Sequence, residues 1–282
     1  MHLEVEKEFI QSILKERKPD SYKGDFGHTL VIGGSYGCVG AGYFATMGAI
    51  KSGSGLVTLG CREELVDIYS IKLNEAMILN LNNEEKLKNC INNFSSIVFG
   101  PGIGIDNFSE NLLIYLLKNY RGILIIDADG VTLLKNHTNL LTCSCCKVIL
   151  TPHYGEFSRL TNLAIDTIKK DRISLSIKFA KDHNCTLLLK DHKTLITNGN
   201  EIFINTTGNS SMACGGMGDV LSGMIGSFVS QKYDSLYATV LSAYIHGYTG
   251  EKLSEKLFSV TPSEVLENIP LYIKELLKKR DN

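Results

Sequence analysis

The chain has 282 residues, 44% of them hydrophobic and 21% charged, with 29 basic and 30 acidic side chains and a formal net charge of −1. That is ample apolar material for a core, and the balanced charge provides no overall field for nucleic acid or an anionic membrane. No run reaches the ~20 apolar residues of a membrane span.

The first residues, MHLEVEKEFI, mix three glutamates and a lysine among the apolar positions, so no uninterrupted export segment forms there. The eight cysteines are scattered through a chain too large to need disulfide staples, and reduced thiols in the cytoplasm are expected. Cys143 and Cys146 form one C-x-x-C beside Cys145, but no second pair stands at the spacing that a closed zinc site needs.

Short apolar runs then recur, each ending abruptly in Gly, Asp, Asn or His: HTLVIGG (28–34), GLVTLG (55–60), SIVFGPGIG (96–104), ILIIDAD (123–129), KVILTPH (147–153) and TLLLKDH (186–192). Their Val, Ile and Leu content suits strands buried on both faces of a parallel sheet. Segments of helical spacing lie between them, among them Ser109–Asn119 and Ile173–His183. The alternation implies a layered α/β fold in one domain, 1–282, with a mostly parallel central sheet flanked by helices. TLITNGNEIFINTTGN (194–209) reads as a hairpin. A long helix carries Val220, Leu221, Met224, Ile225, Phe228 and Val229 on one face. Two more helices are expected over Tyr237–Glu255 and Pro262–Lys278, the second opened by Thr261-Pro262-Ser263-Glu264.

Ligands of open parallel sheets bind at the carboxyl ends of the strands. Those ends hold Gly33-Gly34-Ser35, Gly100-Pro101-Gly102-Ile103-Gly104, Asp127-Ala128-Asp129, His153 with Glu156, and Lys190, which should converge on one rim. Glycine and proline also simply end strands. Neither G-x-G-x-x-G nor G-x-x-x-x-G-K-[ST] occurs, which argues against a Rossmann dehydrogenase and a P-loop enzyme. In NTTGNSSMACGGMGDVLSGMIGSF (205–228), Gly215, Gly216 and Gly218 strip side chains from a turn that leads into a helix. Backbone N–H groups there, with the helix dipole behind them, form a concave anion site. Asp219 lies in the first helical turn. It is placed either to serve the dipole or to take a proton from a hydroxyl that attacks a bound phosphate.

These residues resemble a known family. GGMGD (215–219) is similar to the anion-hole signature of ribokinase-like kinases. The ordered set KGDFGHTLVIGGSYGCVGAG (23–42), SGSGLVT (52–58), GPGIG (100–104), DADG (127–130), LTPHYGEF (150–157), LLK (188–190) and TGNSSMACGGMGDVLSG (207–223) resembles the ADP- or ATP-dependent NAD(P)H-hydrate dehydratases. The resemblance implies a ribokinase-like fold. It also implies a repair reaction in which the C6 hydroxyl of the S-form of hydrated NADH or NADPH is phosphorylated and phosphate is then eliminated, with ADP the expected donor.

Carried over by position, Asp219 is the base on the substrate hydroxyl and Gly218 touches the nucleotide phosphates, beside Gly215 and Gly216. Ala41, Gly102, Gly104 and His153 line the hydrate's pocket. Lys190, Asp191, His192, Lys193 and Thr194 match the segment that holds the adenosine nucleotide, and Glu156 steers Mg2+ through water. The family's habit implies a homo-oligomer, a tetramer. With only 22 residues before Lys23, the epimerase domain of bifunctional members is not expected here, and a separate protein is expected to supply that activity if it is needed.

Departures from the family pattern are also visible. Asp191 stands where Gly is usual, which costs something if the position needs φ > 0, although Asp tolerates that region better than most, and it puts a negative charge near phosphates. Cys214 and Met217 replace Thr, leaving the backbone donors of the anion site to carry the binding, and TGNSS replaces TGNPG. Two other readings remain open at this stage: a vitamin-precursor kinase of the hydroxyethylthiazole or hydroxymethylpyrimidine type, and a non-catalytic nucleotide-binding protein.

Overall fold

The computed structural model describes residues 3–278; residues 1–2, the start of the MHLEVEKEFI segment, and residues 279–282 lie outside it. Among the described residues, ten strands form one sheet. They are β1 (Leu3–Glu4), β2 (His28–Ile32), β3 (Leu56–Cys61), β4 (Met77–Asn80), β5 (Ser96–Phe99), β6 (Ile123–Ile126), β7 (Lys147–Leu150), β8 (Cys185–Leu189), β9 (Thr194–Thr197) and β10 (Ile202–Asn205). The order is β1-β10-β9-β8-β7-β6-β5-β2-β3-β4. From β4 to β8 all neighbours are parallel; β8–β9 and β9–β10 are antiparallel. The six apolar runs are β2, β3 and β5 to β8, and the expected hairpin is β9–β10.

Alternation within each apolar run feeds two cores. Leu30, Ile97, Phe99, Leu124, Ile126, Leu150 and Leu187 point to one face, where they meet helices Asn107–Asn119, Tyr154–Thr161 and Arg172–Asp182. Val31, Val98, Ile125, Ile149 and Leu188 point to the other, under helices Val39–Lys51, Met217–Ser230, Ser235–Ser254 and Pro262–Leu277. A sheet covered on both faces has no polar side to show in its sequence, which is why these strands read as unbroken apolar runs.

Two helices pack backbone to backbone and thereby set the height of the site. A Cβ on Gly48 would lie 2.5 Å from the Val220 carbonyl oxygen, and one on Gly223 1.9 Å from that of Ala45. Only glycine permits this approach. It seats the N-terminus of Met217–Ser230 over the carboxyl ends of the central strands. The last helix opens as its sequence requires: Glu264 N donates to Thr261 Oγ1 at 3.3 Å, and Thr261 N donates to Glu264 Oε2 at 2.7 Å.

Among the described residues, no helix is long and apolar enough to cross a membrane.

Candidate functional site

The rim at the strand ends is stitched together by backbone and side-chain bonds. Past β7 and β8 the chains stay paired, with a parallel bridge between His153 and Lys190 and a bond from Lys190 N to the Pro152 carbonyl at 2.8 Å. Lys190 is thus delivered rigidly. Its Nζ lies 2.8 Å from Asp127 Oδ1 and 3.9 Å from Glu156 Oε2. Burial works against the ammonium, but Asp127 and Glu156 outweigh it and hold the Lys190 pKa above its ordinary value.

His153 and Glu156 form a reciprocal cap on helix Tyr154–Thr161. His153 Nδ1 accepts from Gly155 N at 2.9 Å and Glu156 N at 3.2 Å, and His153 N donates to Glu156 Oε2 at 2.8 Å. A ring nitrogen that accepts carries no proton, so neutral His153 bears its hydrogen on Nε2. That nitrogen lies 3.3 Å from Glu156 Oε1, and the imidazole is 53% exposed.

The glycine turn ends at Gly216, the helix N-cap with φ +99°, and Asp219 stands in the first turn. Burial, reinforced by Asp127 and then Asp129 and opposed by Lys190, pushes the Asp219 carboxyl up to about 7. An acid that served only the helix dipole would sit exposed, with its pKa lowered. Asp219 is perturbed in the opposite direction, as suits a proton acceptor, and it adjoins Gly218, which lines the neighbouring cleft, without lining that cleft itself.

A cleft of about 910 Å3 runs from this turn along the ends of β8 and β10. His153, Lys190, Asp191, His192 and Thr194 line one side, and Gly218, Met217 and Cys214 face them. Lys193 is exposed and does not line the cleft; its carbonyl accepts from Arg172 Nη1 at 2.8 Å. Nor do Gly215 and Gly216 line it: Gly215 is exposed, and a Cβ on Gly216 would meet the Phe44 ring at 2.8 Å.

Ala41, Gly102 and Gly104 do not line this cleft. A Cβ on Gly102 would lie 2.8 Å from that of Ala41, and Gly104 N donates to Asp129 Oδ2 at 2.9 Å. A further cavity of about 450 Å3, beside Leu14–Arg17, contains none of these residues.

Asp191 does not adopt positive φ, so the condition under which its side chain would be costly is not met. The non-glycine residues at positive φ are Ala128, Asn162, Asn184 and Lys232 among those described. Nor is the Asp191 charge free to repel phosphate: Oδ2 accepts from Arg172 Nη1 and from the Tyr154 hydroxyl, each at 3.0 Å. Arg172 neutralises it, and nothing in the linear sequence links the two.

Sequence reasoning also missed His246, which lines the cleft, is buried, and has a pKa pushed down to about 4 by that burial. Its Nε2 has no hydrogen-bond partner among the described residues. The only sequence signal was an isolated His-Gly within an apolar helix.

A family model described as NAD(P)H-hydrate dehydratase matches residues 29–271. An ADP-dependent (S)-NAD(P)H-hydrate dehydratase from Staphylococcus aureus is 38% identical over 275 residues, covering 95% of this chain and 97% of the relative. Among solved structures, a ribokinase-like superfamily protein from Enterococcus faecalis superposes with a TM-score of 0.90 at 29% identity, over 99% of this chain and 97% of that one. An ADP/ATP-dependent NAD(P)H-hydrate dehydratase from Bacillus subtilis, co-crystallised with ATP and Mg2+, gives 0.87 at 26% identity, over 98% and 99%. The layered α/β fold is ribokinase-like.

Proposed function

We propose, from the premise that this chain belongs to the NAD(P)H-hydrate dehydratase family, that it returns the S-form of hydrated NADH and NADPH to the dihydronicotinamides using ADP or ATP. The observation that carries the mechanism is the pairing of a near-neutral Asp219 with the glycine turn beside it.

Hydroxide is a poor leaving group, so dehydration needs the C6 hydroxyl converted to a phosphate ester. Ionised Asp219 takes the hydroxyl proton. The oxygen forms its bond to the terminal phosphorus of the nucleotide as that phosphorus parts from the bridging oxygen. The backbone at Gly218 holds the phosphates, and Lys190 supplies the nearby cation. The C6–O bond then breaks with help from the ring nitrogen's electron pair, a proton leaves the adjacent ring carbon, and the ring double bond is restored. His153, with Nε2–H as a donor, and the small residues Ala41, Gly102 and Gly104 receive the hydrate. His192 and Thr194 flank the nucleotide.

A divalent cation fits the oxygen chemistry behind the cleft's Lys190, which Asp127 and Glu156 contact and whose charge Asp219 also feels. Among the described residues, no three His, Cys, Asp or Glu side chains are gathered closely enough to hold a metal. Mg2+ would therefore be held by Glu156 through water together with the nucleotide's own oxygens, neutralising phosphate charge. We further place the enzyme in the cytoplasm as a homotetramer, served by a separate epimerase. The exposed apolar side chains of Ile71 and Phe258 are consistent with contacts between copies.

Purified protein, Mg2+ and hydrated NADH should regain the dihydronicotinamide absorbance on addition of ADP or ATP. A stable phosphorylated alcohol with no such return would instead mark a kinase.

A further inference from the structure

The turn that ends β6 reaches both Lys190 of the cleft and the loop that holds Gly104. Asp127 N donates to the Phe99 carbonyl at 3.0 Å, and Gly130 N to that of Asp127 at 2.9 Å. The residue between the two aspartates, Ala128, has φ 50° and ψ −120°, a conformation natural to glycine and costly for alanine. The consequence is that the flanking carboxylates serve different partners. Asp127 holds Lys190, whereas Asp129 reaches the loop after β5 and accepts the Gly104 amide at 2.9 Å.

An acid at a helix N-terminus ordinarily serves the amides of its own first turn. Asp129 begins a helix of six residues and instead bonds an amide 25 positions away. The loop it ties needs such a tie. Gly102 and Gly104 both sit at positive φ, 59° and 89°, and a Cβ on Gly104 would have nothing nearer than Ser35 at 3.9 Å. Packing therefore does little to hold Gly104 in place. By contrast, the Pro101 end of the loop is anchored by the bond from Gly34 N at 2.8 Å.

We infer that Asp129 is a positioning residue for the hydrate, its carboxylate fixing the Gly102–Gly104 segment relative to Asp219 across the Ala128 turn. This rests on the reading above that the hydrate lies against Gly102 and Gly104. Asp129 takes no proton from substrate; it sets where the substrate's backbone contacts stand, and a displacement near 1 Å there is enough to cost rate steeply.

The test compares Asp129→Ala with Asp129→Asn, whose amide oxygen still accepts from Gly104. Asp129→Ser, too short to reach, replaces the alanine variant should that one fail to fold. Amide exchange at Gly104 and the kinetic constants for hydrated NADH and for ADP are measured together. At about pH 8.5, where Asp219 is ionised with or without the Asp129 charge, the expected result is lost protection at Gly104 and a hydrate KM raised about tenfold in Asp129→Ala, with the ADP constant within about twofold and Asp129→Asn close to wild type. Unchanged Gly104 exchange and unchanged hydrate KM in Asp129→Ala, beside an active wild type, overturn the assignment alone. Equal kinetic damage in both variants with Gly104 still protected also overturns it, since charge rather than the tie would then matter. A wild-type protein inert toward hydrate sinks the proposed function and the assignment together.

Discussion

Lys190 Nζ lies 2.8 Å from Asp127 Oδ1 and 3.9 Å from Glu156 Oε2, so one ammonium that lines the cleft of about 910 Å3 contacts two carboxylates. Asp127 is almost fully buried, its side chain 2% exposed, and that cation is its charged partner. Removing one member of such a pair leaves the other desolvated and unpaired. Lys190→Met should therefore lose about 2–3 kcal/mol of stability, seen as a melting temperature lower by about 5 °C. Lys190 also holds the Asp219 pKa down, so the activity profile of any active variant should move to higher pH. An unchanged melting point would mean that the pair is solvated and weak.

The pH dependence has a definite sign. Asp219 is ionised above its pKa, so the base form accumulates as the pH rises through about 7. Below that value kcat/KM for the hydrate should fall about tenfold per pH unit, and above it level off. Stability runs the other way. The folded-state pKa lies above the unfolded value of 3.8, so the group's stabilising contribution is complete below 3.8 and is lost as pH rises through about 7. Asp219→Asn should accordingly be more stable than wild type at pH 8, by about 2 kcal/mol, with the gap closing toward pH 4. Denaturant melts at the two pH values measure this, and a gap that does not change with pH contradicts it.

Two glycines two positions apart should fail differently. Gly216 is at φ +99°, with the Phe44 ring 2.8 Å from any added Cβ, so Gly216→Ala should cost about 2 kcal/mol in folding. Gly218 has only ordinary neighbours, Lys190 Nζ at 3.6 Å and Asp127 Oδ2 at 3.9 Å. Gly218→Ala should fold normally and instead weaken ADP binding about tenfold, or about 1.4 kcal/mol, because its methyl stands where phosphate approaches. Calorimetric melts and nucleotide titrations separate the two; a destabilised Gly218→Ala with normal affinity would reverse the assignment.

In the proposed nucleotide site the ion pair with Arg172 offsets the Asp191 charge. Arg172→Met should release that charge and lower ADP affinity about threefold, and adding Asp191→Asn should restore it. Failure of the second substitution to rescue would show that Arg172 acts on the nucleotide directly.

Much of this was legible in the chain. Strands covered on both faces announce themselves as apolar runs, and the abrupt Gly, Asp and His at their ends marked the rim that brings Asp127, His153 and Lys190 together. Edge strands were not legible. β4, MILN, is too short and too exposed for its pattern to stand out, and β1 is two residues long. Helix Val39–Lys51 was hidden because Gly40, Gly42 and Gly48 lower local propensity while tertiary packing rewards them. Within the site, residue type predicted the acids, whereas the pairings Arg172–Asp191 and Asp129–Gly104 depend on segments remote in sequence. The concern over Asp191 was likewise a local argument that a distant arginine answers.

The most direct test of Asp219 as proton acceptor is single turnover of hydrated NADH by Asp219→Asn at saturating ADP and Mg2+, alongside calorimetric titration of ADP. Return of the dihydronicotinamide absorbance should slow at least about a thousandfold while the ADP dissociation constant stays within about threefold. Turnover at the wild-type rate with nucleotide bound would remove the carboxylate from the chemistry.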